Sequence, residues 1–264
     1  MTHSNREFAA EALRRLAISG TAAATGHSLE KHLGSQDPDS SGPPPNLISL
    51  LQLSAVELRQ TTVKAGQEIW PQDRPDPPVV QVTAGWAARH RVLPGGARQI
   101  VRFLLPGDVA GLHSQFLGAS ISALHAVTDV SLIEIRPGPL REAIRRTPEL
   151  GYAIGLLAAR EKRDLEDHLL AIGQDSGLGK VAFLLATLFR RGAQAGLVSR
   201  SVLPFPLTQR HVGDALGLSI VHVNRMLQQL QREGLIRLKR GRLEMLEETR
   251  LAAIGHVPDR RDDP

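Results

Sequence analysis

The residues from Ser219 to Arg225 combine side chains that could contact the edges of DNA bases. The forked guanidinium of Arg225 can donate to O6 and N7 of guanine, and the apolar Ile220 and Val221 suit the methyl group of thymine. His222 could reach either a base or a phosphate. If Ser219 begins a helix, these five residues lie near its outward-facing start, and we expect them to read base sequence.

A second set of side chains is suited to the phosphate backbone of DNA. Three cations surround Gly241 between two strand-like pieces, as at the tip of a β-hairpin. Cations at such a tip can hold phosphates but carry no sequence information. A further polar group opens the helical stretch that precedes the base-reading residues. The predicted phosphate contacts are Thr208, Gln209, Arg210, Lys239, Arg240 and Arg242.

The charge distribution favours a polyanionic partner for this part of the chain. Between Leu178 and Leu246 there are 11 Lys and Arg residues against 3 Asp and Glu residues, whereas residues 1–177 hold 18 against 19. The formal net charge of the 264-residue chain is +5, so the excess of positive charge lies within this one segment.

Two short helices joined by a tight turn would position the base-reading residues. In the stretch LTQRHVGDALGLSIVHVNRMLQQL, Thr208 and Ser219 can cap helices, and Gly217 permits the positive φ of a turn between them. The basic hairpin that follows would form a wing. Residues 173–250 are therefore predicted to be a winged helix-turn-helix. The alternative is a solvated helical hairpin with ordinary surface charge.

The first half of the chain has the pattern of an antiparallel β-domain. Between residues 47 and 146, short β-branched or alternating runs are separated by turns such as Pro94-Gly95-Gly96 and Pro106-Gly107-Asp108. Residues 1–46 include HLGSQDPDSSGPPPN and are expected to be a disordered or weakly helical extension. Residues 251–264 are assigned to a tail.

A long helix is predicted between these two parts, over residues 147–172. Thr147, Pro148 and Glu149 match an N-cap, a first-turn proline and an acid at the positive end of the helix dipole. An apolar stripe follows, and a second copy of the helix in a parallel dimer could cover it. The alternative is that the stripe packs on its own β-domain. The predicted dimer residues are Ile154, Leu157, Leu165, Leu169 and Ile172.

The order of these parts resembles the Crp/Fnr family of bacterial transcription regulators. RQIVRFLLPGDVAGL resembles the turn before the family's effector pocket, and LTQRHVGDALGLSIVHVNRMLQQLQREGLI resembles its DNA-binding helices. The resemblance covers about residues 47–250. It implies an α+β fold with a cyclic-nucleotide-binding-like jelly roll as the sensor, a dimerisation helix and a winged helix-turn-helix. It also implies a homodimer on a palindromic operator, with RNA polymerase as a partner.

The expected effector pocket departs from the pattern of the members that bind cyclic AMP. Those members carry Gly-Glu-Leu after the Pro-Gly-Asp-type turn and an Arg-Ser or Arg-Thr pair on the next segment. The matching positions read Ala110-Gly111-Leu112 and Ile121-Ser122-Ala123, so the pocket is degenerate at Gly107, Gly111, Leu112, Ile121 and Ser122. A phosphate without its charge-assisted partner would lose about 2 kcal/mol. We therefore expect that cyclic AMP is not the effector, whose identity stays unknown.

The recognition helix also departs from the family pattern. The best-known members place Arg-Glu at the positions held by Ile220 and Val221, while Arg225 matches a base-reading arginine. The operator sequence therefore cannot be carried over from the family.

Several other classes of protein are disfavoured by the composition. The chain contains no cysteine, which excludes the cysteine-held iron–sulfur cluster of the oxygen-sensing branch, and we expect no cofactor and no metal. No nucleophile and base occur together in a pattern typical of catalysis, so we predict no enzyme activity. The absence of a long apolar run or signal peptide favours a cytoplasmic protein without membrane contact. The remaining alternatives are a nucleotide-binding regulatory module that does not act on DNA and a cupin-like metal enzyme.

Overall fold

The computed structural model describes residues 56–174 and 176–258. The predicted N-terminal extension, 1–46, lies outside the described residues, as does the end of the predicted tail. The fold class expected from the sequence is confirmed: a β-domain precedes a long helix and a C-terminal helix-turn-helix module.

Within the described residues, eight strands and one short helix form the N-terminal sensor domain. They are β1 (Leu58–Val63), β2 (Glu68–Trp70), β3 (Val79–Ala84), β4 (Ala87–Val92), β5 (Arg98–Leu104), β6 (Val109–Ala110), α1 (Ser114–Leu117), β7 (Ala123–Ala126) and β8 (Val130–Ile135). One sheet has the order β1-β8-β3-β6 and the other β2-β7-β4-β5, and every described pairing between these neighbours is antiparallel. The two sheets form an antiparallel sandwich, in agreement with the predicted antiparallel β-domain.

The two sheets enclose an apolar core. Trp70, Val82, Leu104, Leu124 and Leu132 come from both sheets and are almost completely buried. Alternation along each strand sends these side chains inward, and their burial is the main stabilising contribution to the sandwich.

Both predicted glycine turns occur where the sequence indicated them. Residues 93–97 connect β4 to β5, with Gly96 at a φ of 80°. The Pro-Gly-Asp turn connects β5 to β6, and Gly107 has a φ of 96°. An L-residue with a side chain rarely adopts such φ values, so glycine is the residue that these turns need.

Two helices follow the sandwich, α2 (Pro137–Arg146) and α3 (Pro148–Gln174). Helix α3 is the predicted long helix with slightly different bounds. In the first half of α3, the prediction of an apolar stripe that faces a partner is wrong. Ile154 and Leu157 are buried in their own chain, in a core with Leu140, Leu112 and Ile135. These two side chains therefore cannot form a surface for a partner, and the alternative of packing on the β-domain is correct for this half of the helix.

The second half of α3 leaves apolar side chains in solvent. Leu169 has a relative exposure of 69%, and Leu170 is also largely exposed. Leu165 and Ile172 are half-buried. The part of the predicted stripe that remains available to a partner therefore lies toward the C-terminal end of the helix.

The C-terminal module begins with another long helix. Its elements are α4 (Gly177–Gln194), β9 (Val202–Pro204), α5 (Gln209–Leu216), α6 (Ile220–Arg232), β10 (Ile236–Lys239), β11 (Arg242–Met245) and α7 (Glu248–Ile254). The three strands form an antiparallel sheet in the order β10-β11-β9. The predicted boundary at residue 250 is too early, because α7 buries Leu251 and Ala252 within the core of this module.

The sensor domain and the C-terminal module share one apolar core. Trp86, Ile100 and Phe103 of the sensor belong to the same buried cluster as Phe205 and Leu216 of the module. The rings of Trp86 and Phe205 meet edge to face, with their centroids 6.5 Å apart. No helix in the described part of the chain has the length and apolar character to cross a lipid bilayer.

Candidate nucleic-acid interface and sensor pocket

The first helix of the predicted pair, α5, begins with a reciprocal cap. The Thr208 hydroxyl accepts a hydrogen bond from the His211 backbone N–H at 3.2 Å, and the Thr208 backbone N–H donates to His211 Nδ1 at 3.3 Å. These bonds satisfy two donors that a helix start otherwise leaves without partners. The position of Thr208 as a cap is confirmed.

The turn between α5 and α6 depends on glycine. Gly217 ends α5 in the left-handed conformation with a φ of 65°. A Cβ atom at Gly213 would lie 2.5 Å from the carbonyl oxygen of Leu218, so only glycine allows the chain to turn back this closely. The turn therefore brings the start of α6 close against α5.

The second helix, α6, separates an inner and an outer face as predicted. Val223, Met226, Leu227 and Leu230 are buried, and the hydroxyl of Ser219 caps the helix by accepting from the His222 backbone N–H at 3.2 Å. A hydrophobic face of this kind anchors the helix on its module. The opposite face is left for a partner.

The predicted base-reading residues lie at the exposed start of α6, with one exception. Val221 has a relative exposure of 80%, and Ile220, Ser219 and Arg225 are exposed as well. The ring of His222 is half-buried and leans against the start of α4, where a Cβ atom at Gly177 would lie 2.3 Å from its Nε2. His222 therefore has less freedom to reach DNA than its neighbours.

The wing brings the predicted cations to one hairpin tip. Strands β10 and β11 pair antiparallel, and Arg240 and Gly241 form the loop between them with φ values of 50° and 70°. Two positive φ values in succession are typical of a tight hairpin turn. Lys239, Arg240 and Arg242 are exposed there, as are Thr208 and Arg210 near the start of α5, whereas Gln209 is half-buried.

Gln209 and Asn224 join the two helices of the pair. Gln209 Nε2 donates to Asn224 Oδ1 at 3.1 Å, which links the start of α5 to the outer face of α6. Sequence reasoning did not identify this contact, because the two amides lie 15 residues apart in the chain.

The structure shifts the expected effector-pocket motif by one residue. Gly111 has a φ of 88°, and a Cβ atom there would lie 2.6 Å from the carbonyl oxygen of Pro78. Gly111 thus matches the glycine of the family's Gly-Glu-Leu motif, and the position of the acid is Leu112 rather than Gly111. The conclusion that no carboxylate stands there is unchanged, because the side chain of Leu112 is apolar and buried.

The second half of the expected pocket contributes no charge either. Ile121 is half-exposed, and Ser122 is buried, with its carbonyl oxygen accepting a hydrogen bond from Trp70 Nε1 at 3.2 Å. No side chain at these two positions can take the place of the arginine that holds a cyclic phosphate.

A buried ion pair lies between the sensor sheet and α3. The guanidinium of Arg89, on β4, contacts the carboxylate of Glu161, on α3. His113 lies near both groups, and its pKa is lowered by burial and further by the charge of Arg89, while Glu161 opposes the shift. This pair could not be predicted from the sequence, because its members are separated by 72 residues and each has an ordinary local context.

Two further histidines of the sensor form a close pair. Nδ1 of His90 and Nδ1 of His125 lie 3.0 Å apart, and burial lowers the pKa of His125 to about 4. Within residues 56–174 and 176–258, no group of three or more metal-ligating side chains is arranged to hold a metal ion.

Comparison with known proteins places both halves of the chain in one family. Residues 60–147 match the cyclic nucleotide-binding domain, and residues 179–254 match the Crp-like helix-turn-helix domain. The nitrogen fixation regulation protein FixK of Bradyrhizobium diazoefficiens is 31% identical over 215 residues, which cover 76% of this chain and 87% of that protein. The chain belongs to the Crp/Fnr family of transcriptional regulators.

Other members of the Crp/Fnr family are similar to a comparable extent. The transcriptional activator protein FnrL of Cereibacter sphaeroides is 32% identical over 181 residues, covering 67% of this chain and 71% of that protein. The structure of FixK2 from Bradyrhizobium japonicum matches with a TM-score of 0.70 and 29% identity, covering 75% of this chain and 98% of that one. This Crp/Fnr protein is accordingly a DNA-binding transcriptional regulator with an unidentified effector, and membership implies a dimer.

Proposed function

We propose that the protein is a homodimer that binds a palindromic operator, with α6 in the major groove and the wing on the phosphate backbone. The observation that carries this proposal is the exposed start of α6 beside the cationic hairpin tip of the same module. Arg225 and Val221 are exposed on the outer face of α6, while the inner face of this helix is buried in the core. Phosphate contacts by Lys239, Arg240 and Arg242 would set the register of the helix, and Arg225 would supply base specificity.

The exposed end of α3 supports dimerisation through this helix. Leu169 and Leu170 are apolar and largely exposed, which is costly for a helix unless another surface covers them. A second copy of the chain places two reading helices on the two halves of one palindrome. Leu165 and Ile172 would lie at the edge of this contact.

The sensor domain is proposed to respond to a ligand other than cyclic AMP or to act without one. Leu112 and Ile121 occupy the positions of the acid and the arginine that hold this nucleotide in other members of the family. The match to the cyclic nucleotide-binding domain describes the fold that the sensor shares with those members.

RNA polymerase is the proposed second macromolecular partner. The relative FnrL is named a transcriptional activator protein, and an activator must act on the polymerase at a promoter. We place the protein in the cytoplasm of a bacterial cell, where the chromosome and the polymerase are found.

Selection from a random-sequence DNA pool tests the proposed function directly. Purified full-length protein should enrich duplexes that share two inverted half-sites about one helical turn apart, centre to centre. The alternative of a nucleotide-binding regulatory module without DNA action predicts a pool that stays random after several rounds. Footprinting on genomic DNA would then locate the natural sites.

A further inference from the structure

Strand β5 of the sensor lies directly against α5, the first helix of the helix-turn-helix. Arg98 opens this strand, and its Nε and Nη2 both donate to Asp214 Oδ2, at 2.8 and 2.5 Å. Only 30% of the Arg98 side chain and 22% of the Asp214 side chain are exposed. A charge-assisted pair with this limited access to water is directional and stronger than an ordinary surface ion pair.

The next residue of β5 contacts the same helix at its end. Gln99 Nε2 donates to the backbone carbonyl oxygen of Ala215 at 2.9 Å. His168 of α3 approaches that oxygen as well, with its Nε2 at 3.2 Å. Carbonyl groups in the last turn of a helix have no partner within the helix, so these side chains supply one. A single carbonyl oxygen of α5 is thus held by both β5 and α3.

The other end of β5 contacts α3 and α4 through a network of ion pairs in which arginines and aspartates alternate. Arg102 Nη1 donates to Asp164 Oδ2 at 2.9 Å, and Arg102 Nη2 lies 3.5 Å from Asp108 Oδ1. Arg191 of α4 in turn donates to Asp108 Oδ2 at 2.5 Å and to the carbonyl oxygen of Phe103 at 2.8 Å. Asp108 belongs to the Pro-Gly-Asp turn of the sensor, so this turn is linked directly to the DNA-binding module.

The apolar core and the polar contacts contribute differently to this interface. Burial of Trp86 against Phe205 stabilises association of the two parts but is not directional. Hydrogen bonds and ion pairs have narrow distance and angle requirements, and they select one orientation among the several that an apolar surface would accept.

We propose that strand β5 is the element that sets the orientation of the helix-turn-helix relative to α3, with Arg98, Gln99 and Asp214 as positioning residues for DNA reading. This inference rests on the proposed function. A dimer joined through α3 reads two half-sites about 34–36 Å apart, so the angle between α3 and each reading helix fixes the spacing that fits. The Arg98–Asp214 pair and the Gln99–Ala215 hydrogen bond hold that angle.

Charge reversal in the full-length protein tests the inference. The variants are Arg98→Asp, Asp214→Arg and the double reversal, which keeps the net charge of the wild type. Lys64→Asp is the matched control, because Lys64 makes an exposed ion pair with Asp129 on the sensor surface and the substitution changes the charge by the same amount as Arg98→Asp. The probe is a duplex that the wild-type protein selects from a random pool, together with the same duplex carrying one extra base pair between its half-sites.

The two single reversals should each weaken binding to the selected duplex about tenfold relative to the control. They should also reduce the discrimination against the lengthened duplex. When α6 is no longer held at one angle to α3, the dimer can bind half-sites that are separated by a different distance. The double reversal should restore affinity to within about threefold of the wild type, since it re-forms an ion pair at the same place. Loss of spacing discrimination is a result that general destabilisation of the fold does not produce.

A milder variant keeps the test informative if the charge reversals destabilise the protein and lower its melting temperature. Gln99→Ala changes no charge. It removes the hydrogen bond to Ala215, together with the one that Gln99 Nε2 also donates to the carbonyl oxygen of Ile100 on its own strand, and it should reduce spacing discrimination in the same direction. If folded single variants and Gln99→Ala keep the affinity and spacing preference of the wild type, the inference is overturned while the proposed function stands. If the wild-type protein selects no duplex at all, both are overturned.

Discussion

Arg89 and Glu161 form an ion pair across the boundary between strand β4 and helix α3, with 7% and 19% of their side chains exposed. Arg89 is also the direct cross-strand neighbour of Arg102, which pairs with Asp164 three residues further along α3. Two arginines opposite each other in a sheet repel, and the two acids on one face of α3 offset this repulsion. The helix is therefore held on the sensor by charge as well as by its apolar first half.

Removing one member of this pair should destabilise the protein strongly. Glu161→Ala leaves the guanidinium of Arg89 buried without its counter-charge, and we expect a loss of about 3–5 kcal/mol in the free energy of unfolding. Urea denaturation followed by circular dichroism measures this loss. The matched control is Glu166→Ala on the same helix, whose exposed pair with Lys162 should contribute less than about 1 kcal/mol. Equal losses for the two variants would contradict this assignment.

Stability should fall as the pH is lowered below neutrality, because several histidines are held neutral by burial. The pKa of His125 is lowered to about 4, first by burial and then by the charges of His90, Arg98 and His211. An unfolded histidine titrates near about 6.5, so the unfolded chain takes up protons first and stability is lost as the pH falls from that value toward 4. For His125 alone, the free energy of unfolding should drop by about 1 kcal/mol between pH 7 and pH 5, because solvent screens part of the effect.

Substitution of this histidine gives the corresponding check. His125→Leu should flatten part of the pH dependence of the unfolding free energy, measured by denaturation at both pH values. A slope that His125→Leu does not alter would show that the acid sensitivity comes from other groups.

The helix-turn-helix could be predicted from the sequence because its determinants are local. Thr208 and Ser219 cap helices within three residues, and Gly217 supplies the positive φ of the turn between them. The wing is equally local, since Arg240 and Gly241 form a tight loop between adjacent strands. Short-range signals of this kind do not depend on the rest of the fold.

The contacts between domains could not be predicted in the same way. Arg98 and Asp214 are separated by 116 residues, and Arg191 and Asp108 by 83. Nothing in the immediate sequence of either arginine distinguishes it from a solvated one. The prediction that the apolar stripe containing Leu157 faces a second copy of α3 was wrong for a similar reason. Such a stripe can pack equally well on a partner helix or on a β-sheet of its own chain.

Dimerisation should depend on the C-terminal end of α3. Leu169→Asp places a charge on the exposed apolar surface and should convert the dimer to a monomer, since a carboxylate would have to be buried at the contact. Size-exclusion chromatography with light scattering gives the mass. Leu246→Asp, at an exposed leucine of the DNA-binding module, is the control and should remain dimeric. A Leu169→Asp variant with dimer mass would place the interface elsewhere.

Cyclic AMP should not bind to the sensor with useful affinity. Leu112 and Ile121 offer neither a carboxylate to the ribose nor a guanidinium to the cyclic phosphate, and a buried phosphate without a charged partner is strongly disfavoured. Isothermal titration calorimetry with the full-length protein should give no saturable heat. A dissociation constant in the micromolar range would contradict this expectation. A side chain on another strand of the sensor would then have to bind the cyclic phosphate.

Arg225 and the wing should differ in the kind of DNA contact that they make. Arg225→Ala should weaken binding to the selected operator by about 1–3 kcal/mol and relax the preference at one base position of each half-site, because it removes a bidentate contact to guanine. Lys239→Ala and Arg240→Ala should weaken binding to all sequences alike. Each should also reduce the salt dependence by roughly one charge per half-site.

The most direct test of base reading by α6 is a binding titration of wild-type protein and Arg225→Ala. It uses the selected operator and a scrambled duplex of the same composition, at several salt concentrations. We expect Arg225→Ala to lose affinity for the operator but to keep its affinity for the scrambled duplex, so that the preference for the operator over the scrambled duplex falls. An equal loss on both duplexes would contradict base reading, because Arg225 would then be a phosphate contact and α6 would not read bases through this residue.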